Sequence, residues 1–530
     1  MSPNWHPALS HAWAWDTNLP ARYLGLYRAE FYSEVLSLGT ARYFVIPYTL
    51  FGCLLPVLYL SVPHRDRLWL RSARFVVALG VVLLNWEIIR SGTSSASIAV
   101  SYATGLVAAW GTVWGVGLVL CVDVQRGVAR VRVRERRGGG WAGEGGADRL
   151  TGGEEEEKKQ AAVADEGELP PREYEHYWET YPEDGGFFKR LAWVWDLFSS
   201  FRGIGWNIAI PSVPHPRPGV DLSAAISSMP LKSPTGFHRS TTYRAFLANR
   251  LFHLAWSYIV LDLWTITARF DPYFVPGPSP APSHALPPAL APLPASVLSL
   301  LRSAAAAAGV LAALFSYFNF PQLVAASLPG YNPLWQHPSI FGSFSANILD
   351  RGLAGLWGGW WHQSFRLGFT LPTRFLVRKG VLLEKGTLTK LVGMFIAFLL
   401  SGIMHAAGGY TSIPETTVIY TPVLFFMLQF VGICLQSGLG WAVFRMIGDV
   451  PRGWKRAGNL VFVVAWMHWT NGLFIGDLSR SAIWLFEPVP FSVLRAVGLG
   501  PKGDSAWRWD REYMPRWHWG THWWETGVRI

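Results

Sequence analysis

Leu388-Thr389-Lys390-Leu391-Val392-Gly393-Met394-Phe395-Ile396-Ala397-Phe398-Leu399-Leu400-Ser401-Gly402-Ile403-Met404-His405 is an apolar run that ends on an imidazole. A helix of that length covers about 27 Å at ~1.5 Å per residue, close to the ~30 Å of bilayer hydrocarbon. It reads as a membrane span with a histidine near one end. The pattern repeats outward from it, with comparable blocks at residues 43–60, 75–89, 98–122, 245–268, 305–328, 417–435 and 460–475 and a weaker one at 483–497. Half of the 530 residues are hydrophobic and 15% are charged. Their grouping into blocks predicts an all-α polytopic membrane protein of about eight or nine transmembrane helices, not a string of soluble domains.

The net charge of +11 raises nucleic-acid affinity as a possibility, but the basic residues flank the apolar blocks and form no single stripe. A positive-inside bias accounts for them. Arg65, Arg67 and Arg71 mark the first connection as cytoplasmic, while 91–97 is almost uncharged, which puts the N-terminus on the lumenal or outer side. Counting onward, the basic connections after the third, fifth and seventh blocks all fall on the cytoplasmic side. Cys53, Cys121 and Cys434 sit inside apolar blocks, so neither a disulfide framework nor a CxxC metal site is expected. Residues 1–39 lack an apolar core behind basic residues, and no cleaved signal peptide is expected there. The arginines from Arg126 to Arg137 open a polar stretch whose low hydrophobicity and mixed charge predict a disordered linker at 137–171. The Pro-rich run 272–294 reads as an extended lumenal loop. Six of the 29 tryptophans lie in the tail from Trp507 to Trp524, which suits the bilayer surface.

Chemistry concentrates around two histidines. His405, facing Ala406-Ala407-Gly408-Gly409, is an ionisable group at a depth where such groups either line a cavity or bond a neighbouring helix. As a neutral imidazole it can take a proton from an alcohol; on spacing alone the base and the packing histidine stand level. His362 lies in Leu356-Trp357-Gly358-Gly359-Trp360-Trp361-His362-Gln363-Ser364-Phe365-Arg366, within a segment too polar to span and too aromatic for a solvated loop. An interfacial or re-entrant cytoplasmic helix carrying Trp360 and Trp361 would project His362 and Gln363 into a protein-lined pocket, Gly358 and Gly359 leaving room for a ligand or for close packing. Arg366, Arg374, Arg378 and Lys379 suit either the phosphates of a coenzyme A headgroup or lipid phosphates. His468 and Asn471 in the eighth block are candidates for the same chamber, whereas His253, Asp262 and Glu87 read as helix-to-helix pairs. The histidines lack metal-ligand spacing, and no Walker loop, dinucleotide fingerprint or Gly-x-Ser-x-Gly elbow occurs.

The Leu356–Arg366 run, with Pro338-Ser339-Ile340-Phe341-Gly342-Ser343 before it, resembles the wax synthase domain of the membrane-bound O-acyltransferase superfamily. Ser401-Gly402-Ile403-Met404-His405 is similar to that superfamily's intramembrane histidine motif, and Arg202-Gly203-Ile204-Gly205-Trp206-Asn207 to a segment of its fungal members. The likeness covers roughly residues 202–477. Leu356, Gly358, Gly359 and Ala406 depart from it, Ala406 standing where members often carry an acid. The resemblance implies an acyl-CoA-dependent O-acyltransferase of the endoplasmic reticulum, without a resident cofactor. His405 would be the base and His362 with Gln363 would hold the thioester; Trp360, Trp361, Arg366, His468 and Asn471 would line the substrates. Acetyl transfer to a lipophilic alcohol or terpenoid-type secondary metabolite leads, a long-chain wax ester follows, and a transporter or an inactive scaffold is the alternative from another class. Four regions result: a three-helix N-terminal region at 1–122, a polar cytoplasmic linker at 123–200, an acyltransferase core at 201–477, and a C-terminal helix with its Trp-rich tail at 478–530.

Overall fold

Backbone N–H and C=O groups find no water in hydrocarbon, so the apolar blocks close their hydrogen bonds internally as helices. In the computed structural model, which describes residues 19–137, 140–141, 174–216, 226, 229–275, 285–328, 337–412, 420–500 and 504–530, six helices are long and apolar enough to cross a membrane: Leu68–Arg90, Ile98–Cys121, Tyr243–Phe270, Ala295–Ser327, Thr387–Tyr410 and Tyr420–Ile447. The chain is an integral membrane protein. Its principal helices are α1 (Leu19–Ser33), α2 (Phe51–Ser61), α3 (Arg74–Arg90), α4 (Ile98–Val116), α5 (Phe187–Ser199), α6 (Tyr243–Thr267), α7 (Ala295–Ser327), α8 (Arg366–Arg378), α9 (Thr387–Tyr410), α10 (Tyr420–Ile447) and α11 (Arg452–Arg480). Neighbours pack in the order α2, α3, α4, α9, α10, α11, with α6 and α7 forming a pair that meets α11. The α4–α9 contact is close because Gly105 has no side chain: a Cβ there would stand 1.9 Å from the Ala407 carbonyl oxygen.

Three expectations are corrected. The 483–497 block is not a span, because Pro488 and Pro490 interrupt it and leave only the turns Ile483–Leu485 and Val493–Ala496. Glu487 between them is buried on Arg269 (2.8 Å) and Arg508 (2.7 Å); among its described residues, region 478–530 therefore has no long C-terminal helix. The eighth block does form α11, but its polar residues keep it outside the six. They turn to neighbouring elements: Asn459 to Gln436 (3.0 Å), His468 to Ser303 (3.1 Å) and Thr470 to Gln429 (3.1 Å). Helix in the first block begins only at Tyr48, since Val45–Ile46 is an extended strand, β1.

The arginine-rich opening of the polar stretch is also ordered. Ala129–Arg137, β2, pairs antiparallel with Tyr174–Thr180, β3. The alternation Arg130-Val131-Arg132-Val133-Arg134 has the period of a strand: Ala129 and Val131 are buried against Trp178, while Arg130 and Arg132 meet Glu179. Most of the expected disordered linker lies outside the described residues. At the opposite end Gly527–Arg529, β5, joins β1 to Arg516–His518, β4, in a three-stranded sheet, and Arg28 pairs with Asp510 at 2.6 Å. The tryptophan tail is thus stitched to the N-terminal region, with Trp517, Trp519 and Trp523 exposed on it.

Candidate active site

The segment from His337 to Arg366 is neither a plain loop nor one continuous helix. Wide turns at Ser345–Leu349 and Leu356–Trp360 flank the short helix Asp350–Gly355, broken at Gly352 (φ 59°, ψ −139°). That backbone region is essentially reserved for glycine, and a Cβ would stand 2.2 Å from Gln436 Nε2. The segment is held from outside by two arginines: Arg202 donates to the Ser339 carbonyl oxygen (2.8 Å) and Arg250 of α6 to that of His337 (2.7 Å). Ile348, Leu353 and Leu356 are buried, so protein covers this backbone, as irregular structure in a membrane protein requires. The two glycines part company. A Cβ on Gly359 would meet Asn347 Oδ1 at 2.0 Å, whereas one on Gly358 would find only Arg351 Nη2 at 3.8 Å.

Gln363 is at positive φ (48°), strain that its bonds offset. Its Nε2 donates to the carbonyl oxygens of Trp357 and Trp361, both at 2.8 Å, and its Oε1 accepts from Arg366 (2.6 Å). Arg366 also donates to the Gly358 carbonyl oxygen (2.5 Å). Both amide hydrogens of Gln363 are therefore committed to the backbone, and the expectation that it faces a substrate gives way to a staple that shapes the loop. On His362, Nδ1 accepts from the Ser364 N–H (3.3 Å), which in a neutral ring leaves the proton on Nε2. Burial pushes this imidazole down to about 3, with the nearby His405 and Arg202 adding to the effect. Trp361 (5.3 Å), Phe318 (5.6 Å) and Phe365 (5.9 Å) surround the ring. Beside it opens a cavity of about 300 Å³ lined by Arg202, Tyr317, Phe318, His337 and Ser364.

His405 sits five residues before the end of α9, its Nδ1 3.2 Å from the Tyr102 hydroxyl of α4. Its ring stacks on Phe426 (5.1 Å, 12°) and meets Phe474 edge-on (5.0 Å). A continuous series of rings connects the two histidines, from His362 to Trp361, to Trp357 (5.8 Å), to Phe426 (5.9 Å) and so to His405.

Trp360 and Trp361 lie with Phe341 in the same aromatic wall. His468 is bonded to Ser303 of α7, and half-buried Asn471 follows it one turn on. The cationic group is largely spent on backbone: Arg374 donates to Ile208 (3.1 Å) and Arg378 to Cys121. Arg378 and Lys379 border a separate cavity of about 530 Å³ with Arg65, Arg71, Arg74 and Arg126. Glu87 pairs with Arg42 and Arg90, His253 accepts from Trp256 (2.9 Å), and Asp262 holds Ser492 and the Leu494 N–H. All three are structural. Tyr102 and the Arg250 clamp were not singled out from the sequence, although a phenol and a guanidinium inside apolar blocks each demand a partner.

Residues 337–428 match the model of the membrane bound O-acyl transferase family. The chain is 29% identical to the acetyltransferase atnC of an Arthrinium species over 28% of its own length and 35% of that relative's. It is 25% identical to the acetyltransferase ple2 of Rhodocybe pseudopiperita over 56% of this chain and 68% of that one. With the acetyltransferase ataH of Aspergillus terreus it shares 26% identity over 59% of this chain and 96% of the relative. The chain thus spans about a third of the first relative and nearly all of the third. No solved structure matches it significantly.

Proposed function

We propose that this chain is a membrane-bound O-acyltransferase family protein and that it transfers an acyl group, acetyl in the first instance, from coenzyme A to the hydroxyl of a lipophilic secondary metabolite in the endoplasmic reticulum membrane. The observation that carries the proposal is the pair of imidazoles joined by one aromatic wall, in different settings. His362, with Nδ1 accepting and Nε2 protonated, is a donor suited to the thioester carbonyl and the oxyanion that develops on it; one such donor is commonly worth about 3 kcal/mol. His405, with Nδ1 engaged by Tyr102, turns its other nitrogen to an incoming alcohol.

In this reaction the alcohol oxygen forms its bond to the carbonyl carbon as His405 takes the hydroxyl proton. The carbon–sulfur bond then breaks, and the imidazolium returns the proton to the thiolate. No acyl-enzyme is required. Supporting a polyanionic donor, Arg202 and Arg366 lie close to His362 with no carboxylate pairing with them among the described residues. Acetyl transfer rather than long-chain esterification is supported by the relatives, which are acetyltransferases by name. The test is microsomes carrying the full chain, labelled acetyl-CoA or palmitoyl-CoA, and a panel of terpenoid and long-chain alcohols. Wild type should form acetyl ester and His405→Ala none, with membrane insertion unchanged; near-normal ester from His405→Ala overturns the assignment. Palmitoyl ester in place of acetyl would favour the wax-ester reading.

A further inference from the structure

Asp477, near the end of α11, is 1% exposed, and neither carboxylate oxygen has a well-formed hydrogen bond. A buried carboxylate met by no more than a loose contact from Thr421 is expensive, and such a group is a candidate for a functional role. Thr421 and Arg480 are the polar groups that act on it from its surroundings. Tyr102 packs in one cluster with Ile475 and Leu478, the residues on either side of this turn of α11, and Phe474 of the same turn touches the His405 ring. Carboxylate, phenol and imidazole therefore follow one another across α11, α4 and α9.

The Tyr102 hydroxyl has one hydrogen and two places to send it within the α4–α9 contact: His405 Nδ1 at 3.2 Å, or more weakly the His405 carbonyl oxygen at 3.5 Å. If the hydroxyl donates to Nδ1, the neutral ring carries its proton on Nε2 and has no lone pair left for an alcohol. If the hydroxyl hydrogen is drawn away, the phenol oxygen accepts from Nδ1–H and Nε2 becomes the basic nitrogen. We propose that Asp477 is a positioning residue which, by orienting the Tyr102 hydroxyl, keeps His405 in the tautomer that can accept the alcohol proton. The same negative charge steadies the imidazolium while the proton resides on it, before its return to the leaving thiolate. This inference rests on the acyl-transfer reading above and adds to it a residue on a third helix.

The test uses the full chain in microsomes with acetyl-CoA and the alcohol of the panel that wild type esterifies fastest, and compares Asp477→Asn, Asp477→Glu, Tyr102→Phe and the double variant Tyr102→Phe/Asp477→Asn. Asp477→Asn, close in shape, should lower kcat by roughly tenfold or more with the KM for acetyl-CoA held within about twofold, the split expected for a group acting on the transition state. Asp477→Glu should recover part of the loss. Tyr102→Phe should match Asp477→Asn, and the double variant should be no worse than either single one, since both break the same connection. Full activity of Asp477→Asn in an active wild-type background overturns the inference and leaves the acyl-transfer reading standing, as do multiplicative losses in the double variant. If Asp477→Asn fails to accumulate, a fully active Tyr102→Phe would still overturn it. Wild type that acylates nothing in the panel counts against the acyl-transfer reading itself and removes the role with it.

Discussion

The two histidines are held in opposite ways. His362 belongs to a segment fixed by polar atoms: Gln363 and Arg366 tie its turn together, and Arg202 and Arg250 clamp its start. His405 belongs to a regular helix placed by the absence of side chains at Gly105 and Gly402, which let α4 and α10 approach α9. A hydrogen-bonded loop can set one imidazole in a fixed tautomer, because the Ser364 N–H is itself part of the loop. A packed helix sets the position of its imidazole well but leaves the tautomer to whatever neighbour it meets.

The sharpest break in that comparison is Gly105→Val on the helix side. Its Cβ would fall 1.9 Å from a backbone oxygen of α9, which cannot rotate away as a side chain can. We expect a loss of at least about 4 kcal/mol, read as disappearance of the monodisperse detergent-extracted protein. The loop-side counterparts divide by position: Gly359→Ala should cost about 2 kcal/mol or more through Asn347, whereas Gly358→Ala, with nothing nearer than 3.8 Å, should lie within about 0.5 kcal/mol of wild type. Equal effects at the two glycines, measured by thermal unfolding in detergent, would show that the loop adapts where the helix contact does not.

Next in size is Gln363. Substitution by Ala removes three hydrogen bonds and keeps the positive φ, so it should cost about 3 kcal/mol and misplace His362, lowering kcat at least as much as it raises KM. Gln363→Gly loses the same bonds but relieves about 1 kcal/mol of backbone strain, and should be the more stable of the two. Should the Ala variant be the more stable, the strain is not held at this residue.

These contrasts also show what the sequence could disclose. The helices of the core follow from apolar length alone, and both histidines stand out as candidates because an imidazole beside tryptophans or at the end of a span needs a partner, although for His405 the spacing leaves base and packing residue level. The roles of Gln363 and Arg366 were hidden: a polar residue next to a candidate histidine looks like a ligand contact until its hydrogens are followed to the Trp357 and Trp361 carbonyls. Asp477 was invisible for the converse reason, since nothing in its own neighbourhood of the chain says that α11 brings it to α4. The strand at 129–137 is legible in the alternating Val131 and Val133, which carry the period of two that the run of arginines masks as charge. The 483–497 block misled because its apolar content outweighed Pro488, Pro490 and the pairing demands of Glu487.

Acidification, a milder perturbation than removing the Gln363 bonds, separates the regions by pH. Burial holds His362 at about 3 and His337 at about 4, against an ordinary value of 6.5, so both stay neutral in the folded loop where the unfolded chain would protonate. For groups depressed in this direction the stabilisation is complete above pH 6.5 and is lost as pH falls from there toward about 4 for His337 and about 3 for His362, since the unfolded state binds the extra protons. Between pH 7 and 5.5 the loss should be on the order of 1 kcal/mol per ring, less whatever water reaches the loop. Hydrogen exchange should therefore accelerate in 337–366 on mild acidification before it does in the α4–α9 contact around Gly105. His337→Gln should flatten the loop's response by about half. An α4–α9 contact that loosens first would mean that the packed helices, and not the hydrogen-bonded loop, are the acid-sensitive part of the site.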